Sequence, residues 1–531
     1  MKTRALITSH AKNITMALVP TLGVIGLGVY SYSLCNRKLI LFAAVALAIG
    51  CYYAIHYSLE NIRSKTYHDR LFLITLTGLS LFFTFAFPPF SVPDEQYHFL
   101  NTYRYSDIML LQDSSDDYLS IRSSDLEMVL ALNDQAITSN KYDTIIEEYS
   151  LFSSDSSIVK YDWATDLSSN PFQTRLFPAL GICIARLLNL GSIPLFYLGR
   201  ILSAFSYIIM VYLSFKITPV CKELVAVLAL LPMSLHLAGS YSYDVAIIGL
   251  SFLLSSSCLK AISTDRIIET KQYLLIAVTS FLLAPCKSIY SLLSLLVFLI
   301  PASNFSCKRT EVLFKIGIPL LAILSALMLR IDSILAYILP PEAYSEAAVG
   351  PVYDYRGSET GYYYTITGLL SNPIECLSLF ANTFVTQSGF YLVSFIGGSL
   401  GWFQANMTSP SILVALFTLL LLYSTQVGLP RDNEPGAITL RPAQRMTFLL
   451  ISALQLLCVM LSMALGWTFD NETVIQGVQG RYFIPFSFIA LCSISSNLFR
   501  SKMNSVLICV SLALLLNSVN CLIIITKALI A

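Results

Sequence analysis

The sequence predicts an all-α integral membrane protein of about 13 transmembrane helices, with a large outer loop after the third. Three observations carry this reading. The 531 residues are 55% hydrophobic and only 12% charged, where a soluble protein carries about 25% charged residues. Apolar runs close to the roughly 20 residues that a spanning helix needs recur along the chain. Lysine and arginine collect in alternate short loops, as they do on the cytoplasmic side of membrane proteins.

Candidate spans lie at 13–33, 39–58, 71–89, 196–216, 222–239, 242–261, 271–286, 287–301, 313–332, 409–426, 446–468, 482–499 and 504–526. The pair 271–301 is short in both halves and broken at Pro285-Cys286-Lys287. Segments 175–192 and 376–403 are apolar but interrupted, and read as interfacial or re-entrant helices. The basic start, Met1 to Lys12, leads into a run long enough to span, so it reads as an uncleaved first helix. The organisation is then two N-terminal helices (1–70), a membrane core with its loop (71–333), a second outer loop (334–408) and C-terminal helices (409–531).

Orientation follows from loop charge. Lys2, Arg4 and Lys12, then Arg63, Lys65 and Arg70, then Lys308, Arg309 and Lys315, then Arg431, Arg441 and Arg445, and finally Arg500 and Lys502 all fall inside if the N-terminus is cytoplasmic. Only Arg37 and Lys38 run against the rule. Segment 91–170 then lies outside, with fifteen acidic residues against Arg104, Arg122, Lys141 and Lys160. Its middle, Ser124 to Tyr149, reads as helical. The second outer loop, about 334–375, is rich in tyrosine (Tyr344, Tyr353, Tyr355, Tyr362, Tyr363, Tyr364). Such rings serve as an interfacial belt or as faces that stack on sugars.

The stretch Phe87-Pro88-Pro89-Phe90-Ser91-Val92-Pro93-Asp94-Glu95-Gln96-Tyr97-His98-Phe99 stands at the junction of an apolar run and the acidic loop. The prolines end the helix, because proline lacks the N–H and restricts its predecessor. Two carboxylates and a histidine follow at a lipid–water boundary, where charge is expensive without a task or access to water. The five histidines are scattered, the twelve cysteines form no CxxC pair, and loop 91–170 has no cysteine. No disulfide framework, zinc site or nucleic-acid partner is expected.

Several segments resemble the DUF2142 membrane proteins. Val92-Pro93-Asp94-Glu95 with His98-Phe99 is similar to the family's "PDE..HF" signature. Tyr197-Leu198-Gly199-Arg200, Leu230-Leu231-Pro232-Met233-Ser234, Ser242-Tyr243-Asp244 and Gly477-Val478-Gln479-Gly480-Arg481-Tyr482-Phe483 carry the rest. The resemblance covers about 80–500. Where relatives tend to read Ser-Pro-Asp and Lys-Pro-Pro-Tyr, this chain has Ser-Tyr-Asp and Lys287-Ser288-Ile289-Tyr290. The family in turn resembles the GT-C glycosyltransferases, which take a sugar from a polyprenyl-phosphate carrier on the outer membrane face. The resemblance therefore implies a GT-C-like bundle, a polyprenyl-phosphate-sugar donor made by another enzyme, and a glycan or glycolipid acceptor at the cell envelope. It also implies a bacterial plasma (inner) membrane, and an acidic catalytic residue at the position of Asp94 and Glu95.

The loop-charge topology places Asp94, Glu95, His98, Arg200, His236, Asp244, Lys287, Gln479 and Arg481 on one side. A carboxylate there suits deprotonation of an acceptor hydroxyl. An arginine fork or a lysine suits the departing lipid phosphate. Asp94 is the first choice for base and Glu95 the second. Arg481 is the first choice for phosphate, ahead of Lys287 and Arg200. His98 would orient the base or bind the acceptor, and Gln479, Tyr482 and Asp244 complete the expected substrate site. Direct displacement of this kind inverts the anomeric centre. The acidic loop could also hold a divalent cation.

Plainer readings stand beside these. Asp94, Glu95 and His98 could be solvated loop residues, and Asp244 an N-cap. Arg481 and Lys287 could be interfacial anchors, and Arg200 a partner for the acidic loop. The sequons at Asn406 and Asn471 carry no weight. A transporter or flippase, or a non-catalytic envelope-complex subunit, remain the alternatives to an enzyme. A transporter would show ionisable groups deep in the spans and repeated halves, whereas the spans hold few such groups and show no clear repeat.

Overall fold

The computed structural model describes residues 22, 26, 29, 38–61, 67–115, 117–133, 137–147, 150–153, 155–163, 171–338, 363–402, 407–429, 440–499 and 504–530. Several expectations lie outside them. These are the body of the first span (13–33) with Lys2, Arg4, Lys12 and Arg37, the tyrosines Tyr344, Tyr353, Tyr355 and Tyr362, and the loop cations Arg63, Lys65, Arg431, Arg500 and Lys502. Asp116, Asp134, Glu148 and Asp166 of the acidic loop and the sequon at Asn406 do as well.

The described chain is nearly all helical. Seven helices are long and apolar enough to cross a membrane: Tyr67–Ala86, Ser192–Ile217, Asp244–Ser263, Lys308–Ile331, Pro373–Ile396, Pro442–Trp467 and Ser505–Ala528. The helix Asp244–Ser263 is the hub, with 94% of its apolar window buried, against 22% for Lys308–Ile331. It packs on Ser192–Ile217, Thr270–Cys286, Ser288–Leu299 and Ile484–Ser493. The outlying helix instead turns Leu313, Ile316, Leu320, Ile323 and Leu324 outward, as a lipid-facing surface does.

Several expected spans take other forms. The run 222–239 is two short buried helices, Lys222–Ala229 and Pro232–Ala238, because Pro232 cannot continue the first and starts the second. The run 287–301 is a 3-10 helix, Ser288–Leu299, and 482–499 holds only the ten-residue helix Ile484–Ser493. The run 409–426 is a 15-residue helix, Ser411–Thr425. Conversely, the segment expected to be interrupted over 376–403 is one 24-residue helix, Pro373–Ile396, ending at Gly397 in the left-handed region. Segment 175–192 contains the 12-residue helix Leu176–Leu187.

The large polar loop folds as a cap. It carries helices Glu95–Met109, Ser123–Leu132 and Ser139–Glu147, so the expected helical stretch is two pieces. Strands Tyr118–Arg122 and Ile158–Asp162 pair antiparallel, with Ser120 opposite Lys160. Buried ion pairs fix the cap: Arg122 forks onto Asp125, and Arg186 meets Asp107 at 2.6 Å. Gly181 and Gly199 let helices Leu176–Leu187 and Ser192–Ile217 touch. A Cβ on Gly181 would stand 2.7 Å from the Gly199 Cα.

Candidate functional site

The junction after helix Tyr67–Ala86 is built by its unsatisfied carbonyls. The last turn of a helix leaves four C=O groups without partners. Here Tyr142 donates to Ala86 O at 2.9 Å, Tyr197 to Phe87 O at 3.2 Å and Ser91 Oγ to Pro88 O at 2.7 Å. Arg200, fully buried, supplies the rest. Its Nη1 donates to Thr84 O (3.1 Å) and Phe87 O (2.7 Å), and Nη2 to Pro88 O (3.3 Å). Its Nε and Nη2 then fork onto the two oxygens of Glu95, at 2.8 and 2.5 Å. Those five bonds match the five N–H donors of a guanidinium. Arg200 has nothing left for a phosphate, and Glu95, 1% exposed, also accepts from Tyr241 N. This corrects the expectation that Glu95 and Arg200 face substrate. They form the pair that locks the turn, in line with the plainer reading of Arg200.

The turn pushes Asp94 the other way. Asp94 sits at φ 59°, ψ 14° as the N-cap of Glu95–Met109, yet its side chain makes no capping bond. A non-glycine residue there is strained, and such strain persists where surrounding structure enforces it. The Asp94 side chain is 55% exposed and opens into a cavity of about 690 Å³. That volume falls within the range of small-molecule sites. Desolvation by the neighbouring protein raises the Asp94 pKa, opposed by the Arg481 charge and reinforced by Asp244.

His98, Lys287, Gln479 and Tyr482 line the same cavity. Asp244 and Arg481 lie just behind its wall, 5% exposed each. Arg481, expected to be the first phosphate ligand, is thus one layer back. Its Nη2 stands 3.8 Å from Asp94 Oδ2 and its Nε 3.6 Å from Asp244 Oδ2, ion-pair distances longer than hydrogen bonds. Asp244 is the first residue of its helix, not the N-cap, which is Tyr243. Lys287 lies in an extended link outside the seven spanning helices. Its Nζ sits 4.0 Å from the Tyr482 ring centre, and burial pushes its pKa down to about 8. Gly480 lets this segment nest against Tyr391 and Phe395, with its N–H bonded to Ser394 Oγ at 2.8 Å.

Sequence reasoning missed other members. Arg330 reaches the cavity from a break in the Lys308–Ile338 helix, where its φ is −139°. An ionisable residue inside an apolar span was the available signal. Arg175, fully buried, donates to His98 Nδ1 at 2.9 Å. Tyr97, Tyr243, Trp402 and Trp467 supply aromatic wall. Gln479 Oε1 and Trp402 Nε1 are buried polar atoms without a hydrogen bond. His236 sits apart from this lining, accepting at Nε2 from Gly401 N. Among the described residues no group of three or more His, Cys, Asp or Glu side chains could hold a metal ion.

The apolar helices and the polar cavity beside the capping loop define a multi-pass membrane protein. The chain belongs to the DUF2142 family: the family model, described as a predicted membrane protein, matches residues 77–490. No curated protein and no solved structure matches it.

Proposed function

We propose that this protein is an integral membrane glycosyltransferase. It moves a sugar from a polyprenyl-phosphate carrier to a cell-surface glycan or glycolipid. The observation that carries this reading is the cavity itself. It sets a strained, open carboxylate (Asp94) beside cations on the wall (Lys287, Arg330) and behind it (Arg481), within aromatic rings. The reading brings with it a GT-C-like bundle of about 13 crossings with a cytoplasmic N-terminus. It places the site on the extracytoplasmic face of the plasma membrane.

In this mechanism the acceptor hydroxyl lies within reach of Asp94, which takes its proton as the oxygen attacks the anomeric carbon. The bond from that carbon to the phosphate oxygen breaks, and the lipid phosphate leaves with the electron pair. Lys287 and Arg330 meet its new charge, with Arg481 adding its field from beneath. Attack opposite the leaving group inverts the anomeric configuration. Gln479 and Trp402 line the cavity, and each carries a buried polar atom, Oε1 and Nε1, that no group among the described residues uses.

The test compares cells carrying the wild-type chain with cells carrying Asp94→Asn at equal membrane levels. Mass spectrometry reads surface glycans and polyprenyl-phosphate sugars. The expected result is loss of one sugar from the glycan, with its lipid donor accumulating where an external probe reaches it. Unchanged glycan and lipid pools would overturn the reading. Accumulation confined to the inner leaflet would replace it with a flippase.

A further inference from the structure

His98 has two ring nitrogens, and the fold has already assigned one. Arg175 sits between the 3-10 turn Phe172–Thr174 and helix Leu176–Leu187. Its Nη1 donates to Tyr241 O at 2.9 Å, and its Nη2 lies 2.9 Å from His98 Nδ1. A guanidinium only donates, so Nδ1 must be the bare, accepting nitrogen. The proton of the neutral ring is then on Nε2, and His98 lines the cavity. The ring is held edge-on to Tyr243 at 5.0 Å and to Tyr97 at 5.8 Å between centres. Asp94 lies four residues before it. Burial first, and then the cations Arg175 and Arg481, disfavour a second proton on the ring.

We propose that Arg175 is a positioning residue: by donating to His98 Nδ1 it keeps the imidazole neutral with its proton on Nε2. His98 thereby presents a fixed hydrogen-bond donor to a substrate oxygen in the cavity. The inference deepens the transferase reading and rests on it for the identity of that oxygen, a sugar hydroxyl or a phosphoryl oxygen. It excludes His98 as the general base, because the nitrogen with a free lone pair is occupied. It also excludes an imidazolium acid, because Nδ1 cannot take a proton while Arg175 points at it.

Two measurements test it. The first needs no activity: ¹⁵N spectra of histidine-labelled full-length protein in nanodiscs, with the His98 signals identified by their loss in His98→Gln. The expected result is a neutral ring protonated at Nε2 across pH 5 to 8. A signal that titrates near the ordinary histidine value of about 6.5, or a proton on Nδ1, would overturn the proposal.

The second is sugar transfer by variants. The His98→Gln amide places an N–H near the Nε2 position and is expected to stay within about tenfold of wild type. His98→Asn imitates Nδ1 and is expected to fall about 100-fold. The reverse order would overturn the proposal. A rise in KM for the lipid donor, or instead for the acceptor, assigns the oxygen. Arg175→Lys keeps a cation and is the milder variant beside Arg175→Met. Arg175→Met is expected to admit the tautomer with its proton on Nδ1, while Arg175→Lys, still a donor, keeps the wild-type spectra; Arg175→Met spectra with the proton wholly on Nε2 would overturn the role of Arg175. If the spectra hold and no preparation transfers sugar, the transferase reading fails while the assignment of His98 stands.

Discussion

Arg200 places a fork on Glu95, at 2.8 and 2.5 Å, while its other donors close the carbonyl end of the helix that precedes it. The pair therefore stabilises the shape of the turn that exposes Asp94. Removing one partner of a buried pair strands the other and costs about 3–5 kcal/mol. Arg200→Ala and Glu95→Gln are each expected to lower thermal stability in detergent, Arg200→Ala by more. The double change should cost less than the sum of the two. Additive losses in that cycle would mean the contact carries no coupling.

Asp94→Asn keeps the size of the side chain and removes the base. Transfer is expected to fall by about 10²- to 10⁴-fold, with donor binding and melting temperature unchanged. Near-wild-type turnover in purified Asp94→Asn protein would rule the base role out.

The pH profile has two limbs with opposite requirements. Asp94 must lose its proton to work, and desolvation raises its pKa, so transfer should rise with pH through a value higher than that of an ordinary aspartate. Lys287 must keep its proton to hold phosphate, so transfer should decline as pH climbs past about 8. Arg481 lowers the Asp94 pKa, and Arg481→Gln should therefore shift the acid limb to higher pH. Lys287→Arg should shift the alkaline limb upward, since arginine stays charged. Initial rates at saturating donor from pH 4 to 10 read both. A Lys287→Arg profile that superimposes on wild type would remove Lys287 from the alkaline limb.

Gly480 is a packing prediction. A Cβ there would meet the Tyr391 backbone oxygen and the Phe395 backbone, and the neighbouring residue is Arg481. Gly480→Ala is expected to cost about 1–3 kcal/mol and to reduce transfer through displaced Arg481. A variant with wild-type melting and rate would show that the helix Pro373–Ile396 yields freely.

Much of this arrangement was legible because two different signals address it. Hydropathy located six of the seven long helices, and loop charge placed Asp94, His98, Lys287 and Gln479 on one side, where they line one cavity. Hydropathy averages over residues, so it joined 222–239 across Pro232 and split Pro373–Ile396 at its polar positions. The strands Tyr118–Arg122 and Ile158–Asp162 are five residues each and separated by two helices, which hides their pairing. Glu95 and Arg200 are chemically indistinguishable from substrate ligands until their pairing, and the carbonyls that Arg200 closes, become visible. Arg175 belonged to no motif, because its role depends on a ring 77 positions earlier in the chain.

The Tyr482 ring faces two cations at once, Lys287 at 4.0 Å and Arg481 at 5.3 Å from its centre. An aromatic quadrupole attracts both without neutralising either. A lipid-phosphate sugar is a phosphodiester with one negative charge, and the monoester it releases approaches two. Asp94 and Asp244, 3.8 and 3.6 Å from Arg481, offset part of the cationic charge, and the positive field that remains favours the species of higher charge. Under the proposed transferase reading, that field favours the spent carrier over the loaded one, which aids bond breaking and slows the carrier's departure.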